Sequence, residues 1–162
     1  MINRDKVSVL FVCLGNICRS PSAHGVFEAL VARHGLGDHI YVDSAGTAAY
    51  HIGKSPDSRS IGAAKQRGYD LSQLRARQVD VDDFNQFDYI LAMDTENLTN
   101  LQAIKPDAFL GEVRLFLDYA QATEREVPDP YYGGEAGFNQ VLDLVEKASA
   151  GLLLRIQRDH GL

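Results

Sequence analysis

The chain has 162 residues, of which 45% are hydrophobic and 23% are charged, and its formal net charge at pH 7 is −6. This size and composition predict a single globular domain over residues 1–162. The acidic balance argues against a general nucleic-acid-binding protein, because such proteins neutralise phosphates with Lys and Arg. No apolar run is long enough to cross a membrane, and the first residues lack the apolar core of a signal peptide. We therefore expect a cytoplasmic protein that does not insert into membranes.

Apolar residues recur along the chain alternately with strand spacing and with helical spacing. The predicted strands cover residues 7–12, 40–42, 89–93 and 113–117. The predicted helices run from Pro21 to Gly35, from Ser55 to Gly68, from Asp94 to just before Pro106, and from Phe138 to Ile156. Strands that alternate with helices predict an α/β fold with a doubly wound parallel sheet, in which ligands bind beside the carboxyl ends of the strands.

The segment CLGNICRSP, residues 13–21, follows directly on the first predicted strand. Cys13 lies at the junction between that strand and a helix, and the positive end of a helix favours the thiolate, the nucleophilic form of a cysteine. Gly15 and Asn16 both tolerate positive φ, so the loop can curl until its backbone N–H groups converge on one anion. Arg19 adds a planar fork that grips two oxygens of one phosphoryl group. The predicted phosphate-binding loop consists of Leu14, Gly15, Asn16, Ile17, Cys18 and Ser20, with Cys13 as the nucleophile.

The residues after Arg19 have the composition of a helix start, with Ser20 predicted as the N-cap and Pro21 as the first helical residue. An alternative interpretation makes Cys13 a small buried hydrophobic residue and Arg19 a surface charge. The spacing of Cys, five residues, Arg and Ser between an apolar strand and a helix favours the phosphate-binding interpretation, because each feature agrees with the structural context that such a loop requires.

The two cysteines of the chain lie in the same predicted loop. They cannot link distant parts of the fold, which excludes a disulfide scaffold, and their spacing fits neither a zinc cluster nor a Cys-x-x-Cys redox pair. Cys18 either traps an oxidised Cys13 as a resolving thiol or simply fills the core. None of the five histidines has the spacing of a metal ligand, so we expect no metal and no cofactor, and most of the histidines should lie on the surface.

A second candidate motif, PDPYYG, occupies residues 128–133 within a long irregular segment. The prolines on both sides of Asp129 restrict the backbone and hold its carboxyl in one direction. Cleavage of a phosphate ester needs an acid that protonates the leaving group, although an Asp-Pro pair is also common in simple turns. The presence of the Cys13 loop favours the acid role. Tyr131, Tyr132 and Tyr50 either line a pocket and stack on an aromatic substrate or serve ordinary packing.

These motifs together resemble the low molecular weight protein tyrosine phosphatases. The likeness includes residues 13–21 and 129–133, and also DSAG at 43–46, ARQ at 76–78 and FDYILAMD at 87–94, so it runs from the first strand to the last helix. The resemblance implies a four-stranded parallel sheet with helices on both faces. It also implies metal-independent hydrolysis of phosphotyrosine in protein substrates, through a phosphocysteine intermediate.

Each motif of the resemblance implies a role for its residues. Cys13 would attack phosphorus in line, while Arg19 and the loop amides hold the remaining phosphoryl oxygens. Asp129 would protonate the leaving phenol and then take a proton from the hydrolytic water. Ser20 would donate a hydrogen bond to the thiolate of Cys13.

The resemblance further implies three supporting residues around the loop. Asn16 would brace the loop together with Ser44, and Asp94 would orient the loop arginine. One position departs from the family pattern, because Leu74 stands where some members carry a histidine of the bracing network.

Three other functions fit parts of the sequence. Arsenate reductases of the same fold pass oxidation along additional cysteines, which this chain lacks. Protein arginine phosphatases favour Thr where this chain has Ile17, and an apolar Ile17 together with the Tyr131–Tyr132 pair suits an aryl ring better. A module that only captures phosphotyrosine would not need both Cys13 and Asp129, so the sequence favours an enzyme.

Overall fold

The computed structural model describes residues 5–131 and 134–162, which form one parallel sheet with helices on both of its faces. The order of the four strands across the sheet is β2-β1-β3-β4, and every neighbouring pair is parallel. The strands are β1 (Val7–Cys13), β2 (Ile40–Gly46), β3 (Tyr89–Ala92) and β4 (Glu112–Leu115). The predicted α/β fold class is therefore confirmed.

Helices connect the strands and cover both faces of the sheet. They are α1 (Arg19–Arg33), α2 (Ser58–Gln66), α3 (Asp83–Gln86), α4 (Thr95–Ile104) and α5 (Glu135–His160), with a 3-10 turn at Phe116–Tyr119. Helices α1, α2 and α5 supply the hydrophobic core on one face, and α3 and α4 supply the core on the other. Within the described residues, no helix has the length and apolar composition needed to span a bilayer.

Strand β1 lies in the middle of the sheet and is buried along its whole length. Burial on both faces explains why its sequence is almost continuously apolar instead of alternating. Phe11 and Cys13 point into the core beneath α1 and α5, whereas Leu10 and Val12 point into the opposite core. The register of β1 thus brings the Cys13 side chain to the face that α1 covers, at the carboxyl edge of the sheet.

Several element boundaries differ from the sequence-based expectations. Strand β2 continues to Gly46 because its end pairs residue by residue with β1 up to Cys13, a long-range contact that local pattern does not encode. Helix α2 begins only at Ser58, where the Asp57 carboxylate accepts the backbone N–H of Arg59 and caps the helix. The predicted fourth strand ends at Leu115, and its last two residues belong to the 3-10 turn.

Substitution of Phe11 tests the packing on which β1 depends. Its fully buried ring meets the rings of Phe27 and Phe116 edge-on, with centroids 5.7 and 4.8 Å apart. We expect Phe11→Ala to lower the free energy of unfolding in urea by ~3–5 kcal/mol, because it removes these contacts and leaves a cavity. Leu154→Ala, on the exposed side of α5, is the control and should change it by less than ~0.5 kcal/mol. Similar losses in the two variants would contradict this account.

Candidate active site

The segment between β1 and α1 forms a tight loop at the carboxyl edge of the sheet. Its backbone carbonyls are bound from outside: Cys13 and Leu14 accept the N–H groups of residues 47–48 at 2.9 and 3.0 Å, and Ile17 accepts that of Asp57 at 2.8 Å. The chain after β2 and the chain before α2 therefore hold the loop from two sides.

The outward carbonyls leave the loop amides available inside the curl. The N–H of Asn16 donates to Cys13 Sγ at 3.3 Å. Among residues 5–131 and 134–162, the N–H groups of Leu14, Gly15, Ile17 and Cys18 meet no protein acceptor. Converging, unsatisfied amides at the start of a helix form a binding site for an anion.

Asn16 and Gly15 shape the loop for different reasons. Asn16 adopts φ 57°, and its side chain donates to Ser20 Oγ at 2.8 Å and accepts the N–H of Arg77 at 3.1 Å. Asn takes such a left-handed conformation more readily than other residues with a side chain. Gly15 does not have the expected positive φ. A Cβ there would lie 2.9 Å from Cδ2 of the His51 ring, so a side chain at this position would displace that ring.

The sulfur of Cys13 lies at the floor of the loop and is surrounded by donors. Ser20 Oγ lies 3.1 Å from it, in addition to the amide of Asn16. The prediction that Ser20 caps α1 is wrong, because the helix already begins at Arg19 and the fully buried Ser20 hydroxyl faces the sulfur.

Arg19 lies at the end of the loop, and its Nη1 group donates two hydrogen bonds. Nη1 donates to Asp94 Oδ2 at 2.6 Å and to the carbonyl oxygen of Val127 at 3.0 Å. Burial disfavours the charge, but the attraction of Cys13 and the hydrogen bond to Asp94 outweigh burial and raise the pKa of Arg19. Within the described residues, Nε and Nη2 make no hydrogen bond, so they form the edge of the fork that can grip two oxygens.

Asp94 joins the site to the end of β3. Its Oδ1 accepts the N–H of Asn97 at 2.8 Å and caps α4, while its Oδ2 holds Arg19. The side chain that orients the guanidinium is thus itself fixed by a helix start. Sequence reasoning placed Asp94 beside the arginine only through the family resemblance.

Asp129 faces the same cavity from the long irregular segment. Its Oδ1 accepts the N–H of Tyr131 at 3.0 Å and forms a turn, while its Oδ2 lies 3.8 Å from Nη2 of Arg19. The side chain is 44% exposed. The turn and the acid interpretation of the sequence are therefore compatible, because the two carboxylate oxygens serve different contacts.

A cavity of about 220 Å³ brings the residues of both motifs together. Its lining includes Cys13, Leu14, Gly15, Ile17, Cys18, Arg19, Tyr50, His51, Asp129 and Tyr131. Tyr50 is 73% exposed at the mouth, and Tyr132 lies outside the described residues. His51 was missed by sequence reasoning; the glycine at position 15, which leaves room for its ring, was the available signal.

A larger cavity of about 630 Å³ lies at the opposite edge of the sheet, beside the first residues of β3 and β4. It contains no cysteine, and its Arg155 is already paired with Glu112 and Asp159. In the part of the chain that the structure describes, no group of three or more His, Cys, Asp or Glu is placed to hold a metal ion. We therefore assign the chemistry to the smaller cavity.

The bracing of the loop differs from the expectation at Ser44. The amide of Asn16 bonds Ser20 and Arg77, whereas the Ser44 hydroxyl lies 3.0 Å from Nδ1 of His24. His24 is buried, whereas His34, His39 and His160 are exposed, as expected for most of the histidines. Leu74 packs against the core. The histidine that contacts Ser44 thus comes from α1.

Comparison with known proteins identifies the family of the chain. The model of the family "Low molecular weight phosphotyrosine protein phosphatase" matches residues 8–161. The chain belongs to this family. It is 40% identical over 157 residues to the low molecular weight protein-tyrosine-phosphatase YfkJ of Bacillus subtilis, covering 96% of this chain and 99% of that protein.

Solved structures of the family share the fold. A protein tyrosine phosphatase from Entamoeba histolytica with Hepes in its active site superposes with a TM-score of 0.92 at 41% identity, covering 95% of this chain and 99% of the other. The arginine phosphatase of Drosophila gives a TM-score of 0.86 at 34% identity, covering 92% and 97%. The predictions that the chain is a member of this phosphatase family and an enzyme are confirmed.

The two cysteines of this phosphatase should differ sharply in reactivity. Burial raises the pKa of Cys18 to about 12, which keeps it a neutral thiol near pH 7. We expect iodoacetamide at pH 7 to label Cys13 and to leave Cys18 unlabelled, as read by mass spectrometry. Folded Cys13→Ser should stay unlabelled, and the same variant in urea should become labelled at Cys18. Rapid labelling of Cys18 in the folded variant would contradict this prediction.

Proposed function

We propose that this phosphatase hydrolyses phosphotyrosine monoesters in protein substrates through a phosphocysteine intermediate. The observation that carries the proposal is that Cys13, Arg19 and Asp129 line one cavity although the acid lies far from the loop in the sequence. A nucleophile, an anion clamp and an acid around one small cavity are the parts that transfer of a phosphoryl group requires.

In the first step the thiolate of Cys13 attacks phosphorus opposite the bond to the phenol oxygen. The S–P bond forms as the P–O bond breaks, and the phenol oxygen takes a proton from the Asp129 carboxyl. The loop amides and the Nε and Nη2 groups of Arg19 hold the three remaining oxygens and stabilise their charge. Asp94 keeps the guanidinium in place during this step.

In the second step a water molecule attacks the phosphocysteine. The Asp129 carboxylate takes the water's proton as the new P–O bond forms and the S–P bond breaks. The electron pair returns to the sulfur of Cys13, where the Ser20 hydroxyl and the Asn16 amide stabilise the leaving thiolate. Inorganic phosphate is then released.

The cavity walls favour an aryl substrate. Leu14 and Ile17 contribute apolar residues to the lining, and Tyr50 and Tyr131 line the same cavity with rings on which an aryl group can stack. The Drosophila relative is an arginine phosphatase on the same fold, so the fold alone does not select phosphotyrosine. The apolar Ile17 supports phosphotyrosine as the substrate of this chain.

We further infer that the enzyme works as one domain in the cytoplasm, on phosphotyrosine-containing proteins and without a cofactor. A reducing compartment keeps the thiol of Cys13 available for catalysis. The unit of catalysis would be the whole chain, because the Cys13 loop lies near its start and the Asp129 segment lies near its end.

Substitution of the nucleophile tests the intermediate. We expect hydrolysis of a phosphotyrosine peptide in the presence of EDTA, with phosphoserine and phosphoarginine peptides cleaved far more slowly. Cys13→Ser should reduce phosphate release to the background rate while its thermal unfolding midpoint stays near that of the parent. Unchanged turnover in Cys13→Ser, or preference for phosphoarginine, would overturn the proposal.

Substitution of Asp129 should lower kcat most for substrates whose leaving group must be protonated as it departs. We expect Asp129→Ala to reduce kcat by ~10²–10⁴-fold for aryl phosphates with poor leaving groups, and much less for p-nitrophenyl phosphate. Glu126→Ala is the matched control, because it also removes a carboxylate from this part of the chain. The Glu126 carboxylate accepts hydrogen bonds from Thr95 and does not line the cavity. Equal slowing of all substrates by Asp129→Ala would remove the acid assignment.

A further inference from the structure

We propose that Arg59, which lies outside the catalytic motifs, is a positioning residue that fixes the direction of the Asp129 carboxyl through the ring of Tyr131. The inference rests on the proposed role of Asp129 as the acid. Three sets of contacts carry it: one holds Arg59, one joins it to Tyr131, and one joins Tyr131 to Asp129.

The guanidinium of Arg59 is held by Asp57 in a two-point hydrogen bond. Nε donates to Oδ1 at 3.0 Å and Nη2 donates to Oδ2 at 2.9 Å. These bonds lower the pKa of Asp57, so its carboxylate stays ionised near neutral pH. The backbone N–H of Asp57 also donates to the carbonyl of Ile17 at 2.8 Å. The position of the guanidinium is thereby tied to the phosphate-binding loop.

The same guanidinium lies over two aromatic rings. Its carbon is 4.8 Å from the centroid of Phe138 and 5.4 Å from that of Tyr131, both within the range of a cation–π contact. Phe138 is buried in α5 and offers a fixed surface. Arg59 therefore connects α2, α5 and residues 127–131, the acid segment, which carries Asp129.

Tyr131 links Arg59 to Asp129 through a backbone hydrogen bond. Its backbone N–H donates to Asp129 Oδ1 at 3.0 Å, so a movement of Tyr131 would also move the carboxyl. Asp129 needs such a restraint because its side chain is 44% exposed and is not held by burial. The Tyr131 ring also lines the cavity, so Arg59 shapes the substrate wall as well.

Lysine at position 59 would not reproduce these contacts. A guanidinium presents a planar face to a ring and two parallel N–H groups to a carboxylate, whereas an ammonium is a compact point charge. The proposal therefore predicts a defect in Arg59→Lys as well as in Arg59→Ala.

The experiment measures kcat and KM for a series of aryl phosphates with leaving groups from p-nitrophenol to tyrosine. A displacement of a catalytic group by about 1 Å can cost ~10²-fold, so we expect Arg59→Ala to lower kcat by up to ~10²-fold for the poorest leaving groups. The loss should shrink towards p-nitrophenol, and KM should rise because the Tyr131 wall loosens. In an Asp129→Ala background, Arg59→Ala should no longer alter the leaving-group dependence.

Arg67→Ala provides the matched control. Arg67 also joins the end of α2 to α5, through Asp143 at 2.9 Å and Glu146 at 2.8 Å. Within the described part of the chain, its hydrogen bonds and ion pairs are to residues of α5 and do not include Asp129 or Tyr131. We expect Arg67→Ala to lower the thermal unfolding midpoint without steepening the leaving-group dependence. Tyr131→Leu removes the other partner of the Arg59–Tyr131 contact and should also steepen the dependence of kcat on the leaving group.

The outcomes separate this inference from the proposed function. A flat leaving-group profile in Asp129→Ala would contradict the acid role itself. A steep profile in Asp129→Ala with a uniform loss in Arg59→Ala would contradict only the role of Arg59. If Arg59→Ala changed the leaving-group dependence of kcat equally with and without Asp129, that result would also contradict the role of Arg59.

Discussion

The contact between Arg19 and Asp94 organises the carboxyl edge of the sheet. A buried guanidinium is tolerated only with a partner, and a single nitrogen of Arg19 meets both the carboxylate at the start of α4 and the carbonyl of Val127. The start of α1, the chain just after β3 and the beginning of the acid segment are thereby joined at one group. Because the contact uses one edge of the guanidinium, the other edge remains for the phosphoryl oxygens. The same buried charge that must be paired for stability is thus oriented for catalysis.

The two halves of the cavity are built by different physical means. The loop half is buried or half-buried, and the carbonyls of Cys13, Leu14 and Ile17 are bonded from outside, which fixes the loop backbone before substrate arrives. The half that carries Asp129, Tyr50 and Tyr131 is partly exposed and depends on a few discrete contacts. In the proposed mechanism the loop half would bind the phosphoryl group, and the more exposed half would bind the leaving group.

The sequence was sufficient wherever a role depended on local chemistry. The apolar run of β1 followed by the Cys13 loop and a helix is readable because the strand, the anion-binding turn and the helix start are adjacent in the chain. Ser20 shows the limit of local rules: it has the composition of an N-cap, yet a bond to the sulfur of Cys13 takes precedence. His51, His24 and Arg59 carry no local signature, since their partners come from other elements.

Exposure of the acid follows from what the reaction requires of it. In the proposed mechanism Asp129 gives a proton to the leaving group and then takes one from water, a sequence that requires contact with solvent between the two steps. Deep burial would hold the carboxyl still but would exclude the water and penalise its charged form. Proline neighbours and the turn bond from Tyr131 restrict the carboxyl without covering it. The proposed contact of Arg59 meets the remaining need, because it restrains the ring of Tyr131 without covering the Asp129 carboxylate, which lines the cavity.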